Sequence, residues 1–189
     1  MKKLLLIGLL VGSATTAFAD KFIEARIGMN AFGTYNSSNS DAITKYKTSN
    51  VGVDFAGEFL ASVDEEENFY LGAGIAYQNN QPSKAKGDPM FKSIPVYGAL
   101  KYYVGTLGDS DWETYLKANL GYSFNSKDGY DRNPDDGLYY ALGGGIEHDG
   151  VILEVAYQTT YGKTPINDHD DINNYSRWTF GIGYRFRGM

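Results

Sequence analysis

The chain has 189 residues, 42% of them hydrophobic and 15% aromatic, and it contains no cysteine. Its 23 acidic residues outnumber 17 basic ones, giving a formal charge of −6, which argues against nucleic acid as a partner because phosphate binding needs a basic surface. Without cysteine there is neither a disulfide framework nor a lipidated-cysteine anchor, so stability must come from the secondary structure itself.

Residues 1–19 read as an export signal. Lys2-Lys3 is the charged start, Leu4 to Val11 the apolar core, and Ala17-Phe18-Ala19 a small-residue cleavage site before Asp20. The apolar core is far shorter than the roughly 20 residues a membrane helix needs. The expected mature unit is therefore one domain, 20–189. With Lys2 and Lys3 gone, it has two fewer basic residues than the whole chain, and its formal charge is −8.

From Phe22 onward the chain alternates with a period of two in eight segments, and no sustained helical period occurs. The first, Phe22 to Phe32, puts Ile23, Ala25, Ile27, Met29 and Ala31 on one face and Phe22, Glu24, Arg26, Gly28, Asn30 and Phe32 on the other. The second sets Val51, Val53, Phe55, Gly57, Phe59, Ala61 and Val63 opposite Asp54, Glu58 and Ser62. The third alternates Phe69, Leu71, Ala73, Ile75 and Tyr77 with Tyr70, Gly72, Gly74, Ala76 and Gln78. In the fourth, Ile94, Val96, Gly98, Leu100, Tyr102 and Val104 are interleaved with Tyr97, Lys101 and Tyr103.

The second half repeats the pattern. Trp112, Leu116, Ala118, Leu120, Tyr122 and Phe124 alternate with Glu113, Tyr115, Lys117, Asn119, Gly121 and Ser123. Leu138, Tyr140, Leu142, Gly144 and Ile146 oppose Tyr139, Ala141, Gly143, Gly145 and Glu147. Val151, Leu153, Val155 and Tyr157 oppose Ile152, Glu154, Ala156 and Gln158. The eighth segment carries Trp178, Phe180, Ile182, Tyr184 and Phe186 against Arg177, Thr179, Gly181, Gly183 and Arg185.

Tight links follow segments two, four and six, at 64–68, 105–111 and 148–150. Longer polar links follow one, three, five and seven, at 33–49, 79–93, 125–137 and 161–176. Segments of about ten residues, tilted by about 45°, cross a bilayer core. Short turns on one rim and long connections on the other describe an all-β, eight-stranded antiparallel up-and-down transmembrane barrel, with the long connections extracellular. Closure is required because an open edge in lipid leaves backbone groups unpaired. Mean hydropathy is that of a soluble protein, as expected when only alternate strand residues face lipid.

The inward faces carry Glu24, Asp54, Glu58, Glu113, Glu147 and Glu154 against Arg26, Lys101, Lys117, Arg177 and Arg185, with glycines making room. Enclosed charges must pair, so this set reads as a structural ion network filling the bore. A weak ion-conducting path along the same column is the alternative. Aromatics at segment ends (Tyr103 and Trp112 at the short-turn rim; Tyr139, Tyr140, Tyr161, Tyr175 and Trp178 at the other) read as interfacial girdles.

At this point the chain resembles the small outer-membrane β-barrel family typified by OmpX and the barrel domain of OmpA. The most specific part is the last strand, which looks like the signal read by the barrel-assembly machinery: Phe186 stands in the terminal aromatic's place, with Tyr184, Ile182, Phe180 and Trp178 behind it. The tail Arg187-Gly188-Met189 departs from that pattern. Ile94-Pro95-Val96-Tyr97 leading to Tyr102-Tyr103 also looks like a strand common in such barrels. The resemblance implies a Gram-negative outer membrane, insertion by the assembly machinery, and contact with membrane lipids and lipopolysaccharide. It implies no single activity, since members range from structural to adhesive to enzymatic.

Three function classes follow. Lipid-modifying barrels of this kind use a histidine with serine and a carboxylate. Here His148 lies in a tight turn and His169 in the run Asp168-His169-Asp170-Asp171, and neither has the His-x-Ser spacing the resemblance would require. Asp128, Asp131, Asn133, Asp135 and Asp136 could hold calcium, yet the loop lacks the glycine and closing glutamate of a calcium loop and is made of ordinary turn formers. Binding through the long connections is the third class. They carry Tyr35, Tyr46, Phe91 and Tyr130; Lys45 and Lys47 face Asp41, and Lys84, Lys86 and Lys92 face Asp88. These suit lipopolysaccharide phosphates or a host or neighbouring surface protein. The reading is a non-enzymatic protein of envelope structure or surface interaction, with no catalytic, cofactor-binding or metal residue assigned and no cofactor. A soluble lipocalin shares the period, but it would enclose an apolar cavity and turn its charges outward.

Overall fold

A computed structural model describes residues 20–39, 42–47, 51–80, 91–127, 136–166 and 169–187; the expected export signal 1–19, Asp128, Tyr130, Asp131, Asn133 and Asp135 of the acidic run, and Asp41, Lys84, Lys86, Asp88 and Asp168 of the long connections lie outside these. The described residues form one sheet: β1 (Lys21–Asn39), β2 (Ala42–Lys47), β3 (Gly52–Ser62), β4 (Phe69–Asn80), β5 (Phe91–Thr106), β6 (Glu113–Lys127), β7 (Gly137–His148), β8 (Val151–Ile166) and β9 (His169–Arg187). All neighbours are antiparallel, and β1 also pairs with β9, so β1 and β3 to β9 close an eight-stranded barrel. The short β2 pairs only with the distal half of β1, from Thr34 to Asn39. The link expected at 33–49 is therefore partly a hairpin, because pairing continues past the lipid-spanning height.

The register fixes the barrel's dimensions. A row followed from Phe22 through Leu60, Gly72, Ala99, Asn119, Ala141 and Gln158 arrives on β9 at Arg177. Phe22 itself pairs directly with Arg187, ten residues further along β9, so the shear is ten. With ordinary strand spacings, eight strands and this shear give a tilt of about 40° and a backbone radius of about 8 Å. Such a bore is of the width that side chains can fill.

Alternation runs along the barrel strands, broken at Phe32. Ile27, Phe55, Ile75, Leu120, Leu142, Val155 and Ile182 are exposed, while Glu24, Glu58, Lys101, Lys117, Glu147, Glu154 and Arg185 are buried. The fold is thus inside-out relative to a soluble protein, polar at its centre and apolar at its surface.

Three sequence expectations need correction. Phe32 does not follow its face inward: its φ is +52°, the register slips between Ala31 and Thr34, and the ring is exposed. Glu113 is exposed at the rim, since it is the first residue of β6 and its inward face opens onto the short-turn mouth. Tyr103, Tyr139 and Tyr175 are buried inside the barrel and are not girdle residues, because strand parity turns them inward, where the hydroxyls of the first two are hydrogen-bonded. Trp178 does stand outward, packed edge-on to Tyr157 at 5.4 Å, and Tyr140 neighbours Tyr161 at 5.9 Å.

Candidate functional site: the charged barrel interior

Glu113 being at the rim, the packed interior holds five acids (Glu24, Asp54, Glu58, Glu147, Glu154) and five bases (Arg26, Lys101, Lys117, Arg177, Arg185) among the described residues. Strand parity delivers them all to one narrow space, and glycine clears it. A Cβ at Gly74 would lie 2.6 Å from the Tyr97 ring and 2.7 Å from Glu58 Cγ, so only glycine lets those two meet there.

Toward the short-turn end the charges alternate in one connected chain. Arg185 pairs with Glu147, whose Oε2 also takes Lys101 Nζ at 2.9 Å. Lys101 reaches Glu24 at 2.5 Å, and Lys117 then bridges Glu24 at 3.3 Å, Glu154 at 3.3 Å and Glu58. Arg26 closes the cluster on Glu154 at 2.7 Å and Glu58 at 3.4 Å. Phenols complete the carboxylates: Tyr97 donates to Glu58 at 2.7 Å, Tyr103 to Glu147 at 2.6 Å and Tyr115 to Glu154 at 3.0 Å. Lys101 Nζ lies 4.1 Å from the Tyr115 ring centre, a cation–π contact made in a desolvated space. Isolated buried charges are very costly, and it is this mutual satisfaction that makes them tolerable.

Toward the long-link end the network changes character. Arg177, 0% exposed, has no carboxylate within salt-bridge distance among the described residues. Its guanidinium donates instead to Gln78 Oε1, to Gln158 Oε1 at 3.4 Å and to Thr160 at 3.3 Å. Gln78 in turn donates to Asp54 at 3.0 Å and to Gln158 at 2.7 Å, linking the arginine to Asp54. All the charges expected inside except Glu113 are found there. The sequence reading missed the two glutamines and the tyrosine hydroxyls as partners, although their inward parity was visible.

At the short-turn mouth an open recess of about 800 Å³ is lined by Glu113, Glu147, His148, Arg185 and Arg187 among others. His148, expected in the turn, is the last residue of β7, with Nδ1 3.2 Å from the Asp111 carbonyl and its ring 5.2 Å from Trp112. The backbone of His169 begins β9, while its side chain lies outside the described residues. Of the acidic run, Asp136 caps a strand end by accepting the Asn125 N–H at 2.8 Å.

In the first tight turn, Asp64 accepts the backbone N–H of Phe69 at 2.9 Å and of Asn68 at 3.1 Å, which holds its carboxyl below the ordinary 3.8. A depressed carboxyl pKa contributes stability that is present above the unfolded value and is lost as pH falls through the folded one. The Phe69 amide resonance is expected to titrate with a midpoint under 3.8 and to stop doing so in Asp64→Asn; a midpoint at or above 3.8 would refute the turn assignment.

Comparison with known proteins agrees with this architecture. The protein matches the crystal structure of Neisserial surface protein A with a TM-score of 0.56 at 16% identity, covering 90% of this chain and 99% of that one. It matches the outer-membrane protein AlkL, solved in lipid bilayers, with a TM-score of 0.53 at 9% identity, covering 92% and 94%. No family model matches. An uncharacterised protein of Pasteurella multocida is 28% identical over 123 residues, and the match spans about half of each chain, 51% and 51%. The fold is that of the small eight-stranded outer-membrane barrels. With the apolar belt around it, the protein is an integral barrel of the outer membrane.

Proposed function

We propose that this protein is a closed surface barrel, which stiffens the envelope and presents its four long connections to lipopolysaccharide or to a host or neighbouring protein, without catalysis or bulk conduction. The observation that carries this reading is the interior: ten buried charges bonded to each other and to phenols and amides, leaving no bore for solute. Carboxylates so engaged offer no free base, and His148 Nδ1 is engaged with the Asp111 carbonyl.

Export through a leader ending at Ala19 belongs to the same proposal. Asp20 is already part of the wall, its carbonyl accepting Ser62 N–H at 2.9 Å and its carboxylate the Tyr70 hydroxyl at 3.2 Å. The outward aromatics of β9, up to Phe186, suit recognition by the assembly machinery, and pairing persists through Arg187.

The test replaces each long connection by a short turn. The trimmed barrels are expected to assemble normally, to show baseline conductance in planar bilayers like the parent, and to lose retention on immobilised lipopolysaccharide or host matrix. Discrete channel steps, or altered acyl chains in lipid A mass spectra from cells carrying the protein, would overturn the proposal.

A further inference from the structure

One feature of the outer wall is unaccounted for by barrel closure. Period-two alternation assigns Phe32 to the interior after Asn30, yet two residues, Phe32 and Gly33, stand opposite the single Arg177 between the Ala31–Trp178 and Thr34–Ser176 pairs. Phe32 takes a left-handed φ of +52°, a conformation that bulky side chains avoid and that Gly or Asn adopts readily. The result is a ring 76% exposed, the most exposed large apolar side chain among the described residues. Bulges of this kind re-aim a side chain.

The ring's height on the wall identifies what it meets. Below it the outward positions are apolar and exposed, with Met29 on β1 and Phe180 and Trp178 on β9. Above it they turn polar, with Thr34 paired to Ser176 and the Ser176 hydroxyl bonded to Thr159 at 3.0 Å. Phe32 therefore projects at the level where hydrocarbon gives way to headgroups, beside the Tyr157–Trp178 pair.

We infer that Phe32 is a membrane anchor, turned outward by the bulge to seat among lipid acyl chains just beneath the headgroups of the leaflet on the long-link side. Lipid, and not a second copy of the chain, is the occupant, because the ring continues the lipid-facing belt without a break and presents no polar partner of its own.

The test uses the mature barrel in phosphatidylcholine vesicles, with Trp112→Phe and Trp178→Phe removing the native tryptophans and Phe32→Trp as the probe. Bromines placed high on the acyl chain are expected to quench the probe several-fold more than bromines near the chain end. Quenching by neither, or a Phe32→Cys disulfide between copies that grows with protein-to-lipid ratio, would overturn the inference. Phe32→Asn, which suits the left-handed backbone better, is a second arm. It is expected to insert into vesicles several-fold more slowly than the parent, whereas Phe32→Leu should stay close to it. Equal or faster insertion of Phe32→Asn would mean that the bulge serves strand geometry alone.

Discussion

Replacing Lys117 by methionine is expected to destabilise the barrel by about 3–5 kcal/mol, the cost of breaking a buried ion cluster from one side. Lys117 is the hub of the interior. It bonds Glu24, Glu58 and Glu154 at once, so its loss leaves five buried acids against four bases. Methionine nearly matches its volume, and packing changes contribute little by comparison. The electrostatic origin is tested by adding Glu58→Gln, which removes one excess charge while the amide can still accept from Tyr97. The double variant is expected to recover part of the loss in urea unfolding at matched lipid composition, read as the shift in midpoint with slope unchanged. A double variant no more stable than the single one would show that the cost lies elsewhere, in packing or in assembly.

The second large effect contrasts two glycine-to-alanine changes. Gly145 on β7 faces the interior, and a Cβ there would stand 2.2 Å from the Leu153 carbonyl oxygen and 2.6 Å from the Tyr115 hydroxyl. The first obstacle is backbone of the neighbouring strand and cannot swing aside. The second is the phenol that donates to Glu154. Gly145→Ala must therefore spread β7 from β8 or dislodge a buried hydrogen bond, and about 3 kcal/mol is expected from overpacking together with the orphaned carboxylate. Gly57 on β3 faces lipid with nothing within 4 Å of its would-be Cβ. Gly57→Ala should be neutral or stabilising by up to about 1 kcal/mol, since alanine restricts the unfolded chain. Equal midpoints for the two variants would contradict the inward and outward assignment of these strands.

Strand number, the two faces of each strand and the chemistry of each face were legible in the chain alone. The physical reason is that membrane and lumen impose opposite demands on alternate residues, so a period of two writes the topology directly into the sequence. Ile182 beside Gly183, or Leu153 beside Glu154, already says which side is lipid. The ends of strands were less legible, because beyond the hydrocarbon edge neither face must be apolar while backbone pairing continues. Hence β8 runs on to Ile166 and β1 gains a partner in β2.

Partnership was decided only by the tertiary structure. Lys101 meets Glu24 and Glu147 across strands far apart in sequence, and that meeting depends on a shear of ten and a bore of fixed radius. The register slip at Phe32 turned one expected interior ring outward, whereas Glu113 keeps its inward parity and is exposed only because it opens β6 at the mouth of the barrel. A single inserted residue reverses a face without changing the composition of the segment, so periodicity carries no trace of it. Tyr103 and Tyr139 are a different case: their inward parity was visible in the alternation, and the tertiary structure supplied only their acceptors, Glu147 and Gln158.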